Sequence, residues 1–284
     1  MRTSVECFSC FMTQALRAGK MAKAGKRSHE KIMKEVASLI TRHNMDTPPP
    51  FLGGAVQDTV KKISRCADPY IREKKKYNSL ALKLYPGLKK EVARAGDRLL
   101  AAVKIAITGN VIDFGSEWKF DIHGEIRKIF SHKPDIFDYK KFKKALSKAR
   151  TVLYIADNAG ETVFDRVLIE TMKELFPVEV TYAVKERPIL NDALTEDALF
   201  AGLGKCSRVI SSGSGLPGTA PNTGTKEFLL KYKSADIIIA KGMGNFELLD
   251  TEEKPIFFML KAKCSVVASR LGTKLGSMVL KRGG

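Results

Sequence analysis

Apolar positions recur in two different rhythms along the chain, and the rhythm changes near residue 150. Before that point the spacing is three and four, the helical period. Ile32, Met33, Val36, Leu39 and Ile40 form one such stripe in a run, 29–42, that Ser28 can cap. Pro48-Pro49-Pro50 is expected to close that helix and open a turn. Further helices are predicted over 53–63, 68–85 and 87–109, the last carrying Leu88, Val92, Leu99, Val103 and Ile107 on one face. A basic amphipathic helix is predicted over 139–149.

After residue 150, short and continuously apolar runs alternate with helical patterns. Strands are predicted over 151–156, 179–184, 207–210, 235–240 and 264–268, and helices over 163–176, 192–203 and 226–233. Continuous rather than alternating apolar strands, separated by helices, predict a parallel sheet covered on both faces. The expected fold class is therefore α/β: a three-layer α/β/α sandwich with a mainly parallel, doubly wound sheet, preceded by an all-helical subdomain. The expected division is a helical part at 1–148 that contributes to the site and an α/β part at 149–284.

Composition changes this picture little. The 284 residues have an ordinary apolar content, so a real core is expected. The net charge of +18 raises the question of a nucleic-acid partner. Its lysines and arginines, however, are interleaved with helix-periodic apolar residues, as on solvated helix faces, so nucleic acid is not the expected partner. No apolar run approaches the roughly 18 residues of a membrane span, and the first segment has the wrong charge order for a secretory leader. A cytoplasmic protein without a membrane partner is expected. Cys66, Cys206 and Cys264 are scattered, and only Cys7 and Cys10 stand in CxxC spacing, which suits reduced thiols. The pair could be half of a metal site, a redox couple, or two small buried residues.

Ligands of parallel sheets bind beyond the carboxyl ends of the strands. There the sequence places Asp157-Asn158-Ala159-Gly160-Glu161, then Asn191-Asp192, then Ser211-Ser212-Gly213-Ser214-Gly215, then Lys241-Gly242-Met243-Gly244-Asn245. Carboxylates and amides without histidine or cysteine suit a hard divalent cation such as magnesium or manganese. The serine and glycine loop and Lys241 suit a phosphate. Each piece has a plainer alternative: Asp157 and Asp192 as helix caps, the glycines as turn residues, Lys241 as a surface lysine. Asn110 and Asp113 stand in a stretch that reads by itself as a helix stop and an Asp-capped turn. Neither the dinucleotide pattern G-x-G-x-x-G nor the Walker pattern is found at these turns.

Taken together, the CxxC at Cys7 and Cys10, Gly-Asn-x-Ile-Asp at 109–113, DNAGE at 157–161, Asn-Asp at 191–192 and KGMGNFE at 241–247 resemble the metal-dependent damage-control phosphatases. The resemblance covers nearly the whole chain in order, and the CxxC is similar to that of the prokaryotic stand-alone subgroup. It implies a divalent metal, whether manganese, nickel, cobalt or magnesium, held by Asp157, Asn158 and Asp192. It also implies hydrolysis of phosphate monoesters of small metabolites, such as sugar phosphates or damaged and surplus phosphorylated compounds. On this reading Asp157, Glu161 and Lys241 carry the catalysis, with Glu161 positioning or deprotonating water. Asn110, Asp113, Ser211, Ser212, Gly213, Lys241 and Asn245 would receive the substrate, and Cys7 and Cys10 are a candidate second metal or redox pair. The rival readings are an S-adenosylmethionine-dependent carboxyl methyltransferase, an activity proposed for a eukaryotic branch, and a basic nucleic-acid-binding module.

Overall fold

A seven-stranded sheet runs through the computed structural model, which describes residues 1–109 and 134–283. Its strands are β1 (Ile136–Phe137), β2 (Thr151–Ile155), β3 (Glu179–Val184), β4 (Arg208–Ser211), β5 (Ile237–Lys241), β6 (Ile256–Lys261) and β7 (Met278–Arg282), in the spatial order β1-β7-β6-β5-β2-β3-β4. Neighbours are parallel except for β6 and β7, which pair antiparallel. The chain moves outward from β2 to β4, crosses back to β5 and continues the other way. The order therefore reverses between β2 and β5, and at such a switch point the two flanking loops part and leave a crevice.

Helices cover both faces. On one side lie α4 (Ile71–Arg94), α5 (Arg98–Thr108), α6 (Tyr139–Leu146), α7 (Glu161–Leu175) and α8 (Thr195–Phe200); their apolar faces share a core with Val152, Tyr154, Val180 and Tyr182. On the other, α9 (Lys226–Ser234), α10 (Gly242–Leu249) and α11 (Ser265–Leu271) pack on Leu153, Ile155, Ile238 and Ala240. The alternation of Val152 and Tyr154 against Leu153 and Ile155 is the strand period of two, with both faces buried. A third core, built on Phe11, Ala15, Ile32, Val36, Leu52, Val56 and Tyr70, joins α1 (Glu6–Met21), α2 (Lys26–Thr41) and α3 (Pro49–Ser64). Elements on either side of residue 148 share the sheet: β1 pairs with β7, and α4 and α5 belong to the core of the α7 face.

Several boundaries differ from those predicted. Pro49 and Pro50 start α3 and do not end a helix, since the first helical turn needs no N–H from either residue. Pro86 and Gly87 lie inside α4, where the buried stripe Leu84, Leu88 and Val92 carries the helix through. The break falls at 95–97, where Asp97 Oδ1 accepts from Leu100 N–H at 3.1 Å and starts α5. The segment 264–268 is the start of α11, with Cys264 Sγ accepting from Val267 N–H at 3.4 Å; the strand is the preceding apolar run Ile256–Lys261. The antiparallel β7 was not foreseen. None of the described helices is long and apolar enough to cross a membrane.

Candidate active site

The turn after β2 and the loop after β3 are joined by main chain. Ala193 N–H donates to Asp157 O at 2.8 Å and Ala159 N–H to Asn191 O at 2.9 Å, and Asn158 and Asp192 stand opposite each other as an isolated antiparallel bridge. This pairing brings Asp157, Asn158 and Asp192 together although 34 residues separate Asn158 from Asp192. The cap alternatives do not hold: α7 begins at Glu161 with Gly160 in the cap position, and α8 begins at Thr195, beyond Asp192. Gly160 has φ of +82°, and a Cβ there would come within 3.1 Å of Tyr77 Cβ. The turn can therefore lie flat on α4.

Carboxylate and amide oxygens accumulate in this corner, and two of the buried ones, Asp192 Oδ2 and Asn245 Oδ1, have no hydrogen-bond donor. Asn158 Nδ2 donates to Asp157 Oδ2 at 2.7 Å and to Glu161 Oε1 at 2.6 Å. Burial pushes the Asp157 carboxyl well above the usual carboxylate range, and the charges of Glu161 and Asp192 add to it. Burial likewise pushes Asp192 up to about 7, against the pull of Lys185. Asp192 Oδ2 is buried and makes no hydrogen bond; the nearest cation is Lys185 Nζ at 3.6 Å. Asn245 Oδ1 is a second buried oxygen without a donor. A buried excess of carboxylate and amide oxygen suits a hard divalent cation, and Asp157, Asn158 and Asp192 fit that requirement. Among the described residues no group of three His, Cys, Asp or Glu side chains is gathered for a metal; this candidate set has two carboxylates and one amide.

Lys241 ends β5 with its ammonium pointing inward and fully buried. Nζ lies 2.6 Å from Asp165 Oδ1 and 3.2 Å from Glu161 Oε2, and the same Asp165 accepts from Tyr154 Oη at 2.6 Å and Tyr182 Oη at 2.7 Å. Burial works against the charge on Lys241, but the two carboxylates outweigh it and hold its pKa above the ordinary lysine value. The side chain fixes Glu161 from below, with its charge spent on internal carboxylates. Gly242 follows with φ of +77°, and a Cβ there would sit 2.1 Å from Asp157 Oδ2, so only glycine lets β5 approach this carboxylate. Asn245 Nδ2 donates to Ala156 O at 3.0 Å and Lys241 O at 2.7 Å, clamping the ends of β2 and β5.

The serine loop is arranged differently. Ser211 Oγ accepts from Gly213 N–H at 3.1 Å and donates to the Glu186 carboxylate. Ser212 N–H goes to Val184 O at 2.8 Å, and Ser214 N–H to Ser212 Oγ at 3.2 Å. Asn110 and Asp113 lie outside the described residues. Cys7 is half-buried and Cys10 exposed on the first turns of α1; burial pushes Cys7 and Cys264 up, and both feel the charge of Glu247. Two cations were given no role in the sequence reading. Lys185 is buried at the end of β3, with Nζ 3.2 Å from Thr219 Oγ1. Burial lowers its pKa, while Asp192 and Asp157 support its charge. Lys263, exposed in the β6–α11 turn, favours the charged form of Asp157. Lys185 was legible as the first residue after a predicted strand, whereas Lys263 was hidden by the misplaced strand after it.

A doubly wound sheet with carboxylates, an amide and lysines at its switch point defines a class: α/β enzymes that handle anionic substrates with a divalent cation. Residues 3–279 match the sequence model of the damage-control phosphatase ARMT1-like domain, and the chain belongs to that family. It is 36% identical to the damage-control phosphatase PH1575 of Pyrococcus horikoshii, over 99% of this chain and 98% of that one. It is 31% identical to a damage-control phosphatase of Archaeoglobus fulgidus over 99% of both. The crystal structure of the P. horikoshii protein, described as a DUF89 family protein, superposes over 100% of both chains with a TM-score of 0.94.

Proposed function

We propose that the protein is a divalent-metal-dependent phosphatase of small phosphorylated metabolites, with the metal held by Asp157, Asn158 and Asp192. One observation carries this reading: where the two zipped loops meet at the switch point, the buried Asp192 Oδ2 makes no hydrogen bond, with the Lys185 ammonium 3.6 Å away. Manganese, cobalt, nickel and magnesium all suit this donor set. When bound, such an ion supplies Lewis-acid polarisation of a phosphoryl oxygen and lowers the pKa of water.

The chain's own residues supply the rest. Lys263 meets the substrate phosphate from the solvent side and Lys185 from the protein side, neutralising oxygens on which charge grows in the transition state. Glu161, held between Asn158 Nδ2 and Lys241 Nζ, is positioned to accept a proton from the attacking water at its carboxylate. Family membership supports phosphate-monoester hydrolysis over methyl transfer, and the turn after β2 has none of the glycine-rich pattern of an adenosine site. The expected setting is the cytoplasm, with a soluble metabolite as partner.

The test is hydrolysis of a panel of sugar phosphates, nucleotides and phosphorylated cofactors by metal-stripped protein, with each metal added back. Activity should return with metal and be absent from Asp157→Ala and Asp192→Ala. Full hydrolysis by either variant would overturn the assignment.

A further inference from the structure

The two loops that meet in the site each precede a helix, and the first N–H groups of a helix need acceptors from outside it. Neither α7 nor α8 receives a conventional side-chain cap from the residue before it. One buried pair supplies an acceptor to the N–H of the residue that precedes each helix. Asn78, on α4, takes Gly160 N–H on its Oδ1 at 2.6 Å and donates from Nδ2 to Asp197 Oδ1 at 2.6 Å. Asp197, the third residue of α8, uses its other oxygen to accept Leu194 N–H at 2.9 Å. Lys74, one turn before Asn78 and fully buried, lies 3.8 Å from that oxygen and 2.8 Å from Asp68 Oδ2. A single amide thus ties the turn that carries Asp157 and Asn158 to the segment that follows Asp192. It does so from a helix that carries none of the proposed ligands.

We infer that Asn78 and Asp197 are the positioning pair of the metal site: they hold the two ligand loops in register, so that Asp157 and Asn158 face Asp192 before any cation arrives. This rests on the metal site proposed above. A metal site whose ligands come from separate loops depends on such supporting contacts for its affinity. The buried Asn78 amide is placed to give that support and touches no substrate.

The experiment measures Mn²⁺ binding by electron paramagnetic resonance of the free ion, alongside kcat and KM with a sugar phosphate at saturating Mn²⁺. Asn78→Ala should weaken Mn²⁺ binding about tenfold and lower kcat while leaving KM within about twofold, the range seen when outer partners of metal ligands are removed. The paired exchange Asn78→Asp with Asp197→Asn restores a carboxylate to accept from Gly160 N–H and an amide to donate back, and should recover most of the affinity. Tyr85→Phe removes a different contact between α4 and α7, the hydroxyl bond to Glu170, and should leave Mn²⁺ binding unchanged. Hydrogen exchange at Gly160 N–H should rise in Asn78→Ala and not in Tyr85→Phe. Parental Mn²⁺ affinity in folded Asn78→Ala, or equal weakening in Tyr85→Phe, would overturn the inference. If Asp157→Asn abolishes Mn²⁺ binding while Asn78→Ala does not, the pair's role fails alone; if Asp157→Asn binds normally, the metal site fails with it.

Discussion

The acidic corner after β2 and β3 and the serine loop after β4 both bring polar groups to the same edge of the sheet, and they end in opposite states. In the corner, Asp192 Oδ2 and Asn245 Oδ1 are buried without donors, and the carboxyls of Asp157 and Asp192 are pushed upward. In the loop, hydroxyls and main-chain N–H groups have already found one another through short turns. Serine and glycine richness is therefore a poor guide to a phosphate cradle when the loop satisfies itself. Unspent hydrogen-bonding capacity is the better guide, and it points to the corner.

The largest test of this contrast is Asp157→Asn, which should lower kcat/KM by roughly a thousandfold or more, as expected when a ligand and its charge are lost together. Lys241→Met probes the floor of the corner: it leaves Asp165 and Glu161 without their shared cation and should cost about 3–5 kcal/mol in urea unfolding. Lys263→Ala should raise KM about tenfold, the effect of one charge-assisted contact to phosphate, with kcat moving less.

The metal-stripped protein should also respond to pH in a defined direction. Asp192 titrates at about 7 when folded and near the ordinary 3.8 when unfolded. The folded state binds the extra proton, so this contribution is complete below about pH 4 and is lost as pH rises through about 7. Its Tm should therefore be lower at about pH 8 than at about pH 5, and Mn²⁺ should restore stability most at the higher pH. The smallest expected effect is that of Ser211→Ala, with KM within about twofold of the parent. A larger change in KM there than in Lys263→Ala would reverse the comparison, because the contact of Ser211 to Glu186 would then be less important than its contact to substrate.

How much of this was legible in the chain depended on whether a residue's role is local. Asp157 and Asn158 follow a buried strand directly and Asp192 lies in the loop after the next one, and a parallel sheet brings such loops to one edge whatever the details. The direction of Lys241 is not local. It is set by Asp165, which shares a face of α7 with Glu161 at i and i+4 amid Val163, Phe164, Val167 and Leu168. Two acids on an otherwise apolar helix face were the available signal that a cation lay opposite. Lys263 was missed for another reason: the β-branched run after it imitates a strand, which put Lys263 before a strand although it follows the true one, Ile256–Lys261. Asn78 had no sequence signal, since its partners lie 82 and 119 residues away.

The contact between Gly242 and Asp157 also bears on how this site can change over generations. The Asp157 carboxylate fills the space that any side chain at 242 would need. Neither position can drift alone. A lineage that altered the spacing of its ligands here would have to change both codons together, so a saturation library at either position should return the parental residue almost exclusively, while Asn245 and Ser211 accept a wider range of replacements.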